Sequence, residues 1–306
     1  MNAGSACMTL ALVAVLMSAL GRPAAASPSE AAPKEPPTGK PRVYVSNKGS
    51  FISLDALLDE LARADVVLVG ERHDSPAGHV LERTLLEGLF KRRPAITVSM
   101  EMLERDVQAT VDGYVSGNVD EKGFLERSRP WPSFAAYWKP LVDFAREQHL
   151  PLLAANVPRS LASAVAAQGL ATLLSLPVHV RGFAARHVSA PRDASYEAFA
   201  EQMRAHPHHG GPDLVANMYE AQCLKDDTMA ESIADWRERV QASNPLVVHY
   251  TGMFHIEGNR GTASRLRERA PRSAVKTVIL SPDPDPDRVD AKKLEKRGDY
   301  VIVYPE

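Results

Sequence analysis

The sequence predicts an α/β fold: an open, mainly parallel sheet flanked by helices, with a smaller helical sub-domain formed by insertions. Three observations carry this. Short runs of β-branched and other apolar residues recur, and most are continuously apolar, as strands covered on both faces require. Helix-period stripes fill the intervals, giving the β–α–β–α order of a parallel sheet. Two intervals, about 103–150 and 157–245, are too long for simple crossovers and carry little strand signal. They read as helical insertions that pack together as a cap beside the sheet.

From the N-terminus, residues 1–26 read as an export signal. The apolar run Met8–Leu20 is too short to span a bilayer comfortably, and small residues Ala24 to Ala26 follow it, so cleavage is expected near Ala26. No Lys or Arg precedes the run, which departs from the usual pattern. Cys7 also precedes it, whereas a lipoprotein cysteine follows, so no lipid anchor is expected. Residues 27–46 read as a Pro-rich linker, because so few large apolar side chains cannot offset ordering entropy. The folded domain is expected over 47–306.

Within it, Leu54, Leu57, Leu58 and Leu61 form one helical stripe, and Val80, Leu81, Leu85, Leu89 and Phe90 form another. Strands are expected at Val66–Val69, Ala95–Val98, Leu152–Ala154, Leu246–Val248, Val275–Leu280 and Tyr300–Val303. A long helix runs from Leu214 to about Val240, with Met229, Ile233, Trp236 and Val240 on one face. The Asp-Pro run 283–287 reads as an extended polar loop.

Composition removes several function classes. With 36 Lys+Arg against 38 Asp+Glu, no broad positive field exists for nucleic acid. Cys7 and Cys223 are the two cysteines, which excludes a disulfide scaffold, a CxxC zinc site, an iron–sulfur site and a CxxCH haem attachment. Cys223 lies in a helical pattern and reads as a buried inert thiol. The protein is expected to be peripheral to a membrane at most, and a homodimer is left open.

The polar motifs come directly after predicted strands. In an open parallel sheet, ligands bind beyond the strands' carboxyl ends. Gly70 allows a sharp exit from the first strand and leaves Glu71 and His73 above the sheet, while Ser75 or Asp74 caps the next helix, with Pro76 in its first turn. Glu101 closes another apolar strand, where a carboxylate needs a partner. Asn156 and Arg159 come after the strand 152–154. His255 sits near the middle of a glycine-rich stretch with Gly252, Gly258 and Gly261. Because they sit beyond strand ends, His255 and Glu101 are expected to be removable with little loss of fold.

Together, GERHDSPAGH (70–79), SMEMLERDVQ (99–108), AANVPR (154–159), NMYEAQCLKDDTMAESIA (217–234) and HYTGMFHIEGNRGTASRL (249–266) resemble the ChaN-like haem-binding uptake family. Its superfamily includes Tiki-type metallopeptidases and erythromycin esterases. The resemblance covers roughly residues 50–304, and implies a parallel α/β domain with a helical sub-domain, export to the periplasm or cell envelope, haem binding and a part in iron uptake. It also implies a small residue where Phe254 stands, so a narrowed pocket is expected.

Two functions are therefore in view. The first is haem binding. Haem without CxxCH is held by an apolar pocket and an axial His, Tyr or Met. The second insertion offers Tyr196, His206, His208, His209, Met218, Tyr219 and Met229, with the two methionines reading better as core. The full cofactor-binding set is His73, His79, Arg105, Asn156, Arg159, His209, Tyr219 and His255. The alternative is an esterase- or peptidase-like hydrolase. There Glu71, His73, Glu101 and His255 hold a divalent metal ion or act as a metal-free acid/base set, and Glu101 with Arg105, or Arg159, holds the substrate. The absence of GxSxG, HExxH and a P-loop removes serine-elbow, zincin and nucleotide-dependent chemistry.

Overall fold

Eight strands form one sheet in this computed structural model, which describes residues 40–204, 212–241 and 243–306. The chain runs β1 (Arg42–Val45), β2 (Ser50–Ile52), α1 (Leu54–Leu61), β3 (Val66–Glu71), α2 (Pro76–Arg92) and β4 (Ile96–Glu104). The first insertion comes next as α3 (Gln108–Val115), α4 (Glu121–Ser128), α5 (Phe134–Tyr137) and α6 (Lys139–Glu147). It leads to β5 (Leu152–Asn156), α7 (Arg159–Gln168), α8 (Val178–Arg181), α9 (Ala194–Arg204) and α10 (Pro212–Arg239). The chain ends with β6 (Leu246–Gly252), α11 (Thr262–Arg269), β7 (Val275–Asp283) and β8 (Tyr300–Pro305).

The strand order is β2-β1-β8-β7-β3-β6-β4-β5. The six strands from β8 to β5 are parallel, and β1 runs antiparallel to both of its neighbours. The β1–β2 hairpin corrects the linker expectation, because residues 42–45 belong to the sheet. Arg42-Val-Tyr-Val is too short to stand out beside Pro41, and its order comes from pairing with β8.

Alternation along the strands separates two cores. Val67, Val69, Val98, Met100 and Val248 face α1, α2 and the helices of the first insertion. Val66, Leu68 and Val247 face α10 and α11 through Ala230, Ile233, Ala263 and Leu266. Each of these leucines, valines or isoleucines contributes roughly 1.5–3 kcal/mol through burial. The second insertion builds the smaller helical sub-domain, where α7 packs on α10 around Val157, Leu161, Val165, Leu173 and Leu224. The two insertions thus serve opposite faces of the sheet and do not form one cap. Val80 is also corrected: it is 66% exposed, because the buried face of α2 is Leu81, Leu85, Leu86 and Leu89. The strand β7 continues to Asp283, so the Asp-Pro segment is shorter as a loop and turns at Pro286–Arg288.

Two details shape the edges of the sheet. From β3 the chain crosses to β4, β6 later inserts between them, and β7 pairs on the other side of β3. The carboxyl ends of β3, β6 and β4 therefore meet where the connections diverge, the place where such sheets bind ligands. At the outer strand β5, the side-chain amide of Gln108 donates to the Leu152 carbonyl at 2.8 Å and accepts from the Ala154 N–H at 2.8 Å.

A Cβ at Gly70 would lie 2.9 Å from the Ile256 side chain and 2.9 Å from Met253 Cα. Gly70→Ala is expected to lower stability by about 2–3 kcal/mol in urea denaturation. Gly117→Ala, at φ +81° with nothing within 4 Å, is expected to cost only about 1 kcal/mol.

Candidate functional site

Glu71 is the last residue of β3 and is buried. Its Oε1 accepts a 2.5 Å hydrogen bond from His73 Nδ1. Ser75 caps α2 by accepting from the Gly78 N–H at 3.1 Å, with Pro76 opening the helix, so the segment from Glu71 to Ser75 is fixed at both ends. The His73 side chain is 45% exposed, with its ring edge-on to Trp131 and Trp138 at centroid distances of 5.2 and 5.7 Å. The ring lies against Gly252, where a Cβ would sit 2.9 Å from His73 Cε1. Gly252 is thus needed for close approach.

Behind Gly252 lies a sealed charge stack. Glu101 Oε2 accepts from Thr251 Oγ1 at 2.6 Å and from the Gly252 N–H at 2.8 Å. Glu101 Oε1 pairs with His255 Nε2 at 3.1 Å, and His255 Nδ1 pairs with Asp226 Oδ1 at 2.7 Å. Thr262 Oγ1 donates to the same Asp226 oxygen at 2.8 Å, and Gln222 reaches the His255 ring. Glu101, Asp226 and His255 are all buried.

Electrostatics reflect this packing. Burial alone would depress His255, but the Glu101 and Asp226 carboxylates outweigh it and push its pKa up to about 10. Burial would raise Glu101, yet His255 and His73 hold it well below the usual carboxylate range. His255 is therefore an imidazolium donating from both nitrogens, with no lone pair for base chemistry. Below it, burial pushes His249 down to about 3, leaving it neutral beside Ser99 Oγ at 2.9 Å.

A second buried group lies on the α2 side. Burial and the neighbouring Glu71 raise Glu82 well above the usual carboxylate range. Glu82 Oε2 and His79 Nδ1 share a hydrogen bond at 2.7 Å, burial lowers the His79 pKa, and His79 Nε2 donates to the His73 carbonyl at 3.3 Å. His73 differs from both other imidazoles. Burial lowers its pKa, but Glu71 and Glu101 more than compensate, and the net shift is upward. It is half-exposed, and among the described residues nothing hydrogen-bonds its Nε2. Accessible acid/base or donor capacity at this edge resides in His73.

The structure therefore brings together Glu71, His73, His79, Glu101 and His255. It does not bring the rest to them. Arg105 is committed to α10, donating to Ser232 Oγ, Glu231 Oε1 and the Thr228 carbonyl. Asn156 accepts from the Val157 N–H and caps its own turn. Arg159 opens α7 beside Glu104. Tyr219 is buried among Tyr196, Phe199 and Cys223, and burial raises its phenol pKa. Burial raises the Cys223 thiol to about 11, as an inert thiol requires. Met229 is core and Met218 packs against the Phe199–Tyr219–Cys223 cluster. His206, His208 and His209 lie outside the described residues.

Among the described residues, no group of three or more His, Cys, Asp or Glu side chains is arranged to hold a metal ion. Within the expected set, His255 lies between two carboxylates and Glu71 pairs with His73, while Glu71 Oε2 and His73 Nε2 have no hydrogen-bond partner among the described residues. Removal of His255 is also not innocuous, because it would leave those carboxylates buried and unpaired. Sequence reading missed Asp226, Gln222, Glu82, Thr251 and Thr262. The i,i+4 spacing of Gln222 and Asp226 on one helical face was the available signal for two of them.

A family model described as "Haem-binding uptake, Tiki superfamily, ChaN" matches residues 57–266. A solved structure described as cofacial heme binding to ChaN of Campylobacter jejuni is similar with a TM-score of 0.65 at 18% identity, covering 87% of this chain and 97% of that one. At this identity the likeness shows the fold. An erythromycin esterase in its open conformation gives a TM-score of 0.46 at 15% identity, covering 80% of this chain and 77% of that one. The chloroplastic protein RETICULATA-RELATED 5 of Arabidopsis thaliana is 25% identical over 263 residues, 80% of this chain and 34% of its own length. The chain thus spans about a third of that curated relative. No helix among the described residues is long and apolar enough to cross a membrane.

The sign of the pH dependence is fixed by His255. Its folded pKa of about 10 lies above the ordinary 6.5, so its stabilising contribution is complete below 6.5 and lost as pH rises through about 10. Denaturant unfolding is expected to show stability falling from pH 7 to 10, and His255→Gln is expected to flatten that fall. His255→Ala is expected to cost about 3–5 kcal/mol.

Proposed function

The chain belongs to the haem-binding uptake family of the Tiki superfamily that includes ChaN, and from that premise we propose that it is an exported envelope protein that binds haem non-covalently and serves haem or iron uptake. Family membership over residues 57–266 carries the reading. Haem brings an iron centre that accepts an axial donor, and the protein must supply that donor and an apolar surface.

The residues at the sheet's carboxyl edge fit this requirement. His73 Nε2 lies against Gly252 and has no hydrogen-bond partner among the described residues, while Glu71 holds its Nδ1–H, the arrangement that fixes tautomer and ring orientation in metal-binding histidines. Phe254, two residues beyond Gly252, is 46% exposed and packs on Phe199, supplying an apolar face close to the same strand end. His79, His255 and Tyr219 are buried with their polar atoms engaged, which leaves His73 as the best-suited donor of the predicted set among the described residues.

Titration of the purified protein with hemin is expected to give a shifted Soret band. His73→Ala is expected to weaken binding about tenfold or more and change the spin state. A change in Tyr196→Phe with none in His73→Ala would move the axial role to Tyr196, and a flat titration of the wild type would overturn the reading. Because the pKa of His73 is raised, a proton competes with iron at Nε2. Hemin affinity is therefore expected to increase with pH through the neutral range. Export predicts a mature protein beginning near Ser27, checked by N-terminal sequencing of the periplasmic fraction.

A further inference from the structure

A cavity of about 480 Å³ opens at the far side of the carboxyl edge, between the end of β4 and the start of α7. Its walls are Glu104, Asp106, Arg129, Arg159, Ser160 and Ser163. None of these belongs to the His73–Glu101–His255 cluster.

The charges are unequally committed. Arg129 joins Glu104 at 2.7 Å and Asp106 at 2.5 Å, with its backbone held at φ +52°, so one guanidinium bridges two carboxylates. Arg159 has only a 4.0 Å contact to Glu104 and is 52% exposed. Asp106 uses Oδ1 for Arg129, and among the described residues its Oδ2 has no hydrogen-bond partner. The cavity thus shows one uncommitted cation and one uncommitted carboxylate oxygen on a neutral background of two Arg and two acids. Ser160 and Ser163, one helical turn apart and exposed, add hydroxyls that donate or accept. A simple anion would meet Arg159 but also Asp106 and Glu104. A simple cation would meet the reverse. A molecule carrying both charges satisfies both.

We propose that this cavity binds a small zwitterion of amino-acid or dipeptide size, its carboxylate on Arg159 and its ammonium on Asp106. The volume lies within the range of small-molecule sites, and the paired Arg–carboxylate contact provides directional recognition.

Glycylglycine is the probe, titrated into the full chain and monitored by amide chemical shifts of residues 159–163. The expected result is saturable shifts, with affinity lowered about tenfold for N-acetylated glycylglycine and about tenfold for its C-terminal amide. Arg159→Gln is expected to abolish the penalty for the amide and leave the penalty for acetylation, and Asp106→Asn the reverse. Both variants are expected to melt within a few degrees of wild type, and the split between the two blocked ligands is a readout that general destabilisation would not produce. Absence of saturable shifts would overturn the proposal. So would acetate or phosphate binding as tightly as glycylglycine, which would make this a plain oxyanion site.

Discussion

The architecture turns on a protonated imidazole sealed between two carboxylates. Glu101 comes from β4, His255 from the turn after β6, and Asp226 from the middle of α10. Each charge alone would be costly to bury, and together they satisfy one another. The stack therefore joins α10 to β4 and to the turn after β6, two elements whose strands are already paired in register. It also dictates local backbone. Gly252 donates its N–H to Glu101, and Gly261 at φ +53° comes so near the His255 carbonyl that a side chain there is excluded. The glycine-rich stretch after β6 is the backbone solution to holding His255 in place.

This division of labour clarifies the two functional readings raised by the sequence. The four residues that look interchangeable as a catalytic or metal set are not equivalent. Glu101 and His255 neutralise each other inside the protein, whereas the Glu71–His73 pair leaves the His73 Nε2 without a hydrogen-bond partner among the described residues. A binding role uses that single nitrogen and the aromatic surroundings. A hydrolytic role would use the same nitrogen as its base, because both nitrogens of His255 donate to carboxylates.

Much of the fold was legible because parallel strands buried on both faces carry continuously apolar runs, as Val66–Val69 in β3 and Leu246–Val248 in β6 show. The convergence of Glu71 and His255 was legible for a related reason, since strand direction places strand-end residues at one edge, whereas β4 runs on to Glu104 and Glu101 sits inside the strand it was expected to close. Three things were hidden. The β1–β2 hairpin depends on its partner β8, a contact distant in sequence. Asp226 and Glu82 sit within helices whose charged residues look solvated until tertiary packing turns them inward. The separation of the two insertions onto opposite faces depends on which pleat each apolar stripe meets, which no local pattern encodes.

The side-chain amide of Gln108 has a consequence for assembly. By offering one acceptor and one donor to the Leu152 carbonyl and Ala154 N–H, it occupies the rim of β5 as a surrogate strand would. The opposite rim is β2, only three residues long. Exposed rims are where sheets recruit further strands from other molecules. Among the described residues one rim is plugged and the other is three residues long, so neither presents a long open edge to a strand from another molecule.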